Sequence, residues 1–209
     1  MDKLLVFSFI FMLLSGLSSS PANAEVYLTK EQALQLILGE NHGAIYEPHV
    51  VTQEIEKEIR KLRLPRFLTK KIHFFVKKDR AKKDWKYALI DNVIGKHQPI
   101  TYIAGFDANG NITQVEIMIF REIRGWEVRE RRFLKQLEHH SPDDKATAST
   151  PQHITGATIS CEAITTAIRR AEIVWQILYG NSLTTNKVSA EKNQNKNLPE
   201  IKLPGEDFK

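Results

Sequence analysis

Thr158 stands in the segment Ile154-Thr-Gly-Ala-Thr-Ile-Ser160, directly before a long stretch of helical spacing. The first N–H groups of a helix have no partners inside it, and with the helix dipole they form a ready site for an anion. Gly156 permits a tight bend and a close backbone approach to a ligand, and Ala157 adds almost no bulk. Thr158 then presents a hydroxyl beside a pocket suited to phosphate. Ser160 is placed to cap the helix or to contact the same phosphate. A hydroxyl held there can be esterified by a phosphate whose remaining charge the helix stabilises. Without that chemistry, the string is a glycine turn followed by a serine cap.

Other reactive side chains offer less. His139 and His140 are adjacent in a loop-like stretch, so they point in different directions, and no further metal ligands accompany them. Cys161 is the only cysteine, which excludes an intramolecular disulfide and any four-cysteine metal or iron–sulfur site. A thiol at a helix start can be acidified, but a small, partly buried residue is the plainer reading of Cys161. There is no Cys-x-x-Cys-His for haem, no dinucleotide fingerprint and no nucleophile–base pattern. The chain reads as a carrier or binding domain rather than a free-standing enzyme.

These residues need elements to hold them. Thr29-Lys-Glu-Gln32 is a capping box before a predicted helix that ends at Gly39. A second, amphipathic helix starts at Thr52, carries Ile55, Ile59 and Leu62, and is closed by Pro65. Strands are predicted at 72–76, at 86–90 with an extension to 94, at 100–104 and at 112–120. In the last of these, Val115, Ile117 and Ile119 alternate against Gln114, Glu116 and Met118. Asp107-Ala-Asn-Gly110 joins the last two as a hairpin, with Asn-Gly supplying positive φ angles. A helix is predicted from Glu127 to Leu137, and a long one from Cys161 to Tyr179 with a buried stripe through Ile164, Ala167, Ile168, Ala171, Val174 and Trp175. The fold class is α+β: an antiparallel sheet packed against helices in a single domain.

Hydrophobic-Thr-Gly-Ala-Thr-x-Ser before a helix resembles the flavinylation motif of the FMN-binding domain family, which includes the C subunit of sodium-pumping NADH:quinone reductase and the G subunit of the RNF complex. The resemblance extends over roughly residues 87–175. It takes in the strand Ile100–Phe106, the turn Asn109-Gly110, the strand Ile112–Phe120 and the element Glu122-Ile-Arg-Gly125. Glu122 and Gly125 match the family's Glu-Thr-Pro-Gly-like element; Ile123 and Arg124 depart from it. Gln152 stands six positions before the acceptor, where the family often has an acidic residue.

The resemblance implies FMN joined through its phosphate to Thr158, in an electron-transfer protein. Thr155, Gly156, Ala157 and Ser160 would shape the phosphate pocket, and Thr155 would bond the phosphate or hold the turn. Trp126 is the candidate wall for the flavin ring or else a core residue, and Glu122 holds the loop or contacts the flavin. Maturation would require a flavin transferase that uses FAD and a divalent metal outside the cytoplasm. A redox partner protein is implied, in a membrane complex or soluble. The competing expectation is a non-redox periplasmic module that holds an anionic ligand at the same helix start.

The N-terminal residues fit an exported protein independently. Asp2 and Lys3 precede the apolar run Leu4–Leu14, and Ala22-Asn-Ala24 makes a cleavage site before Glu25. The run is short for a membrane span, which needs about 20 residues; an uncleaved anchor is the alternative. The expected divisions are a signal peptide at 1–24, an extension at 25–84, an FMN-binding domain at 85–180 and a disordered polar tail at 181–209. The net charge is +5. Export turns that charge away from nucleic acid and toward acidic proteins, anionic lipid heads or an anionic cofactor. Most lysines within 57–61 and 70–86 read as a solvated face.

Overall fold

Period-two apolar runs build one sheet, and the amphipathic helices cover its two faces. The computed structural model describes residues 24–39, 43–79, 84–138 and 151–180. Residues 1–23 of the expected leader, the polar tail and the His139–His140 pair lie outside these residues. The strands are β1 (Glu25–Val26), β2 (Ile45–Val50), β3 (Lys71–Asp79), β4 (Asp84–Ile94), β5 (Pro99–Phe106) and β6 (Ile112–Phe120). They form a six-stranded antiparallel sheet in the order β1-β6-β5-β4-β3-β2. The helices are α1 (Lys30–Leu38), α2 (Gln53–Lys61), the short α3 (Arg131–Leu134) and α4 (Thr158–Leu178). The molecule is therefore a single α+β domain, as the sequence predicts.

Alternation explains the two-sided core. Phe74, Leu89, Tyr102 and Phe106 face α4 and α2, while Phe75, Ile90, Ile103 and Met118 face α1. Every residue of β5 is buried, because both of its faces are covered. The approach of α1 is close: a β-carbon on Gly105 would lie 2.5 Å from Ile37 Cγ2. The predicted capping box forms on α1, where Thr29 and Gln32 exchange side-chain and backbone hydrogen bonds. Thr52 caps α2, which ends at Lys61, with Leu62 as its C-cap, before Pro65 is reached.

Several local expectations need correction. The alternation predicted along β6 breaks at a register shift opposite Thr101–Tyr102, so Met118 is buried and joins Ile119 on the α1 face. Asn109 keeps a negative φ; only Gly110 of the pair is positive, at 85°. The Asp107 carboxylate instead organises that loop by accepting from the N–H groups of Asn109 and Asn111, both at 2.9 Å. The single helix predicted from Glu127 to Leu137 is broken into a 3-10 turn at Trp126–Arg129, α3, and another at Lys135–Leu137. Extended Glu130, with ψ of 131°, separates the first two. Neither β1 nor β2 is predicted. β2 contains Pro48, which an edge strand tolerates. One sheet runs across the expected boundary at residue 84, since β3 pairs with β4.

Candidate functional site at the start of helix α4

Helix α4 begins three residues earlier than predicted, and this changes the roles of its first residues. Ala157 is the N-cap, with no side-chain cap bond, and Thr158 is the first helical residue. Ser160 is therefore inside the first turn and is not the cap. A turn precedes the helix: the Ala157 N–H donates to the Ile154 carbonyl at 3.0 Å. Gly156 occupies its third position with φ of 89°, where a type II turn requires a positive angle. The helix closes its first bond from the Cys161 N–H to the Ala157 carbonyl at 2.8 Å. The N–H groups of Thr158, Ile159 and Ser160 precede that bond, at the positive end of a 21-residue helix.

Burial sorts the motif into two sets. Thr155, Gly156 and Thr158 are exposed, and a β-carbon on Gly156 would meet nothing within 4 Å. Ala157 and Ile154 are buried and anchor the turn to the core. Ser160 is buried and faces Gly125, whose β-carbon would lie 2.6 Å from Ser160 Oγ. Gly125 has φ of 92°. This contact brings the 122–126 loop against the first turn of α4.

Trp126 leaves that loop 46 % exposed, so the core-packing alternative does not hold for it. The Arg129 guanidinium lies 5.7 Å from the Trp126 ring and 4.2 Å from the Tyr27 ring. Ile123 on the same loop and Ile159 beside Thr158 are also exposed. Glu122 is bonded to the β4–β5 turn. Its Oε1 accepts from the N–H groups of His97 and Gln98, at 2.6 and 3.0 Å, and so holds the β4–β5 turn. The segment before the motif is clamped as well: Gln136 Oε1 accepts from the Gln152 N–H at 2.8 Å. Gln152 thus docks through its backbone.

Cys161 does not carry an acidified thiol. It is fully buried, and burial pushes its pKa up, with Glu127 and Glu130 adding to the rise against a hydrogen bond from the Ile154 backbone. Among the described residues no group of three His, Cys, Asp or Glu side chains is placed to hold a metal ion, and no helix is long and apolar enough to cross a membrane.

Residues 95–172 match the family model of the FMN-binding domain. This stretch is similar to the FMN-binding domain. The match begins at the turn that Glu122 holds, runs through β5, β6 and the 126–137 turns, and includes the motif and the first two thirds of α4. It is narrower than the predicted 85–180, and β1 to β4 lie before it. No curated protein matches the chain.

The residues at the start of α4 fit a nucleotide held by its phosphate. An open glycine, an exposed hydroxyl and uncapped backbone N–H groups stand within residues 156–160 of the matched stretch. No side chain crowds the approach at Gly156.

One feature of the domain escaped sequence reasoning. Arg170 is wholly buried, donating from Nη2 to Asp91 Oδ2 at 2.6 Å and to the Asn92 carbonyl at 3.0 Å. Its Nη1 holds the carbonyls of Pro65 and Arg66. Burial pushes the Asp91 carboxyl up, against the pull of the Arg170 guanidinium. Tyr102 and the Ala167 carbonyl complete the group. The signal was present in the spacing: Arg170 follows Ala167 by three and precedes Val174 by four, which puts it on the apolar stripe.

Proposed function

We propose that this chain is an exported electron-transfer protein carrying FMN through a phosphoester bond to Thr158. One observation carries the reading. Within the stretch similar to the FMN-binding domain, the Thr158 hydroxyl is exposed on the first turn of a long helix that no side chain caps. An anionic diester there gains about 0.3–1 kcal/mol from the helix end. Thr155 and Gly156 border the phosphate, and Gly125 sets the 122–126 loop against the helix. Trp126 supplies an exposed aromatic surface at that edge, and Glu122 keeps the neighbouring turn in place.

Attachment belongs to a flavin transferase. One bond forms, from Thr158 Oγ to the phosphorus of the FMN half of FAD. One bond breaks, in the FAD pyrophosphate, and AMP leaves; the Thr158 hydroxyl gives up its proton. Once bound, FMN supplies the redox chemistry, and the chain supplies position and electrostatics. The leader-like residues before Glu25 support maturation and work outside the cytoplasm. An electron donor and acceptor, membrane-associated or soluble, are the partners this reading requires.

The test is the exported full-length protein, produced with and without a flavin transferase. With the transferase, intact mass should rise by the mass of an FMN phosphoester, and the denatured protein should fluoresce. Thr158→Ala should lose both signals while melting near the wild-type temperature, because the side chain is exposed. A wild-type protein that stays colourless and unmodified in the presence of an active transferase would turn the reading over to a reversible, non-redox anion-binding module.

A further inference from the structure

A cleft of about 420 Å³ is lined by Val51, Glu56, Ile59, Arg60 and the segment Arg66–Lys70. Its volume lies in the range of small-molecule sites, roughly 300–1,000 Å³. All of its lining precedes residue 95, so it is outside the stretch similar to the FMN-binding domain. It is also remote from Thr158. Arg170, which bonds the backbone of the lining residue Arg66, lies twelve positions beyond Thr158 along α4, about 18 Å at the rise of an α-helix.

The cleft is built from within. The Arg170 Nη1 donates to the carbonyls of Pro65 and Arg66 at 2.9 and 2.8 Å, and its guanidinium lies 4.3 Å from the Phe67 ring. The Val51 N–H donates to the Lys70 carbonyl at 3.0 Å, joining the two rims. A buried ion pair thus preorganises an exposed loop, and preorganisation lowers the cost of binding. The electrostatics then choose the ligand. Arg60 is engaged by Glu56 at 3.3 Å, which cancels both charges. Arg66 and Lys70 have no acidic partner among the described residues, and they leave the cleft positive. Val51, Ile59, Phe67 and Leu68 make the remaining wall apolar.

The geometry points to a second binding site in this cleft, for a phosphate ester bearing an apolar substituent, with Arg66 and Lys70 on the phosphate and Phe67 against the substituent. A guanidinium and an ammonium together suit an anionic phosphate. The phosphate can belong to a soluble monoester or to an anionic lipid headgroup.

Calorimetric titration of the full-length protein with phenyl phosphate tests this. Binding is expected, tighter than that of inorganic phosphate and weaker at high salt. Arg66→Gln with Lys70→Gln should weaken it by about tenfold or more. Lys57→Gln, an exposed charge outside the cleft, should leave it unchanged. Thr158→Ala should also leave it unchanged, which separates this site from the flavin reading. No binding up to about 10 mM, or equal affinity in the double variant, overturns the proposal. Equal affinity for inorganic and phenyl phosphate removes the apolar wall from the site and overturns it as stated. Sedimentation with phosphatidylglycerol vesicles, against phosphatidylcholine vesicles, identifies the source. Cosedimentation lost in the double variant assigns a lipid headgroup; phenyl phosphate binding without cosedimentation assigns a soluble ester.

Discussion

Gly125 lies against Ser160 so closely that a β-carbon at Gly125 would sit 2.6 Å from the Ser160 hydroxyl oxygen. The residues come from different elements, and their contact places the 122–126 loop beside the first turn of α4. Gly125 also holds φ at 92°, a region that side chains with a β-carbon rarely adopt. Gly125→Ala therefore incurs both backbone strain and overlap, for a loss of about 2–4 kcal/mol. Ser160→Gly in the same chain removes the overlap and leaves the strain, so the double variant should lose less than the summed losses of the two single variants. Urea denaturation of the four proteins measures this. Strict additivity would show that the Gly125–Ser160 contact does not set the loop.

Gly156 is the informative contrast. It shares the positive φ, at 89°, but a β-carbon there would meet nothing. Gly156→Ala should cost only the backbone term, about 1–2 kcal/mol. Its methyl group would nevertheless add bulk to the open turn two residues before Thr158. Flavin incorporation, read by intact mass after treatment with the transferase, should fall far more than stability does. A fully loaded Gly156→Ala protein would show that the phosphate does not pass over this turn.

The sheet and its central strands were legible because each has a strong local signal. The Ile112–Phe120 strand coincides with its predicted range, and α1 ends at Gly39 as expected. What was hidden depends on tertiary contacts. β2 carries Pro48 and a weak pattern, and it becomes a strand only by pairing with β3. Ser160 looks like a cap in a one-dimensional reading, yet Ala157 begins the helix, because the Ile154–Ala157 turn already delivers the chain to it. The role of Glu122 required knowing that the His97–Gln98 turn lies beside it, some 24 residues earlier. The Asp91–Arg170 pair joins residues separated by 79 positions, a distance over which spacing carries no information.

That pair supports a third prediction. Arg170→Met leaves the Asp91 carboxylate and the Pro65 and Arg66 carbonyls without their donor in the interior. Removing one partner of a buried pair costs about 3–5 kcal/mol. Replacing both, as Asp91→Asn with Arg170→Met, should be less destabilising than the two single losses added together, because no lone charge is left behind. Equilibrium unfolding in urea decides this. A loss below about 1 kcal/mol for Arg170→Met would mean that water reaches the site and the pair is not sealed.

Two histidines contribute to the response to acid. Burial pushes the His73 pKa below the ordinary 6.5, and Lys71 lowers it further; burial also lowers His49, against the opposing pull of Glu47. His73 Nδ1 pairs with the Tyr46 hydroxyl at 2.8 Å, and His49 Nε2 with the Tyr179 hydroxyl at 2.9 Å. Both rings are therefore neutral partners in the folded protein. In the unfolded chain they take up protons near 6.5. Between that value and the depressed folded values, the unfolded state binds more protons, so stability falls as pH falls. The contribution is fully present above 6.5. His73→Gln keeps an acceptor for Tyr46 without a titrating ring, and it should flatten the slope of melting temperature against pH on the acid side. The comparison is a series of thermal melts of both proteins from neutral pH downward. An unchanged slope would show that protonated His73 is tolerated in place, contrary to its burial beside Tyr46.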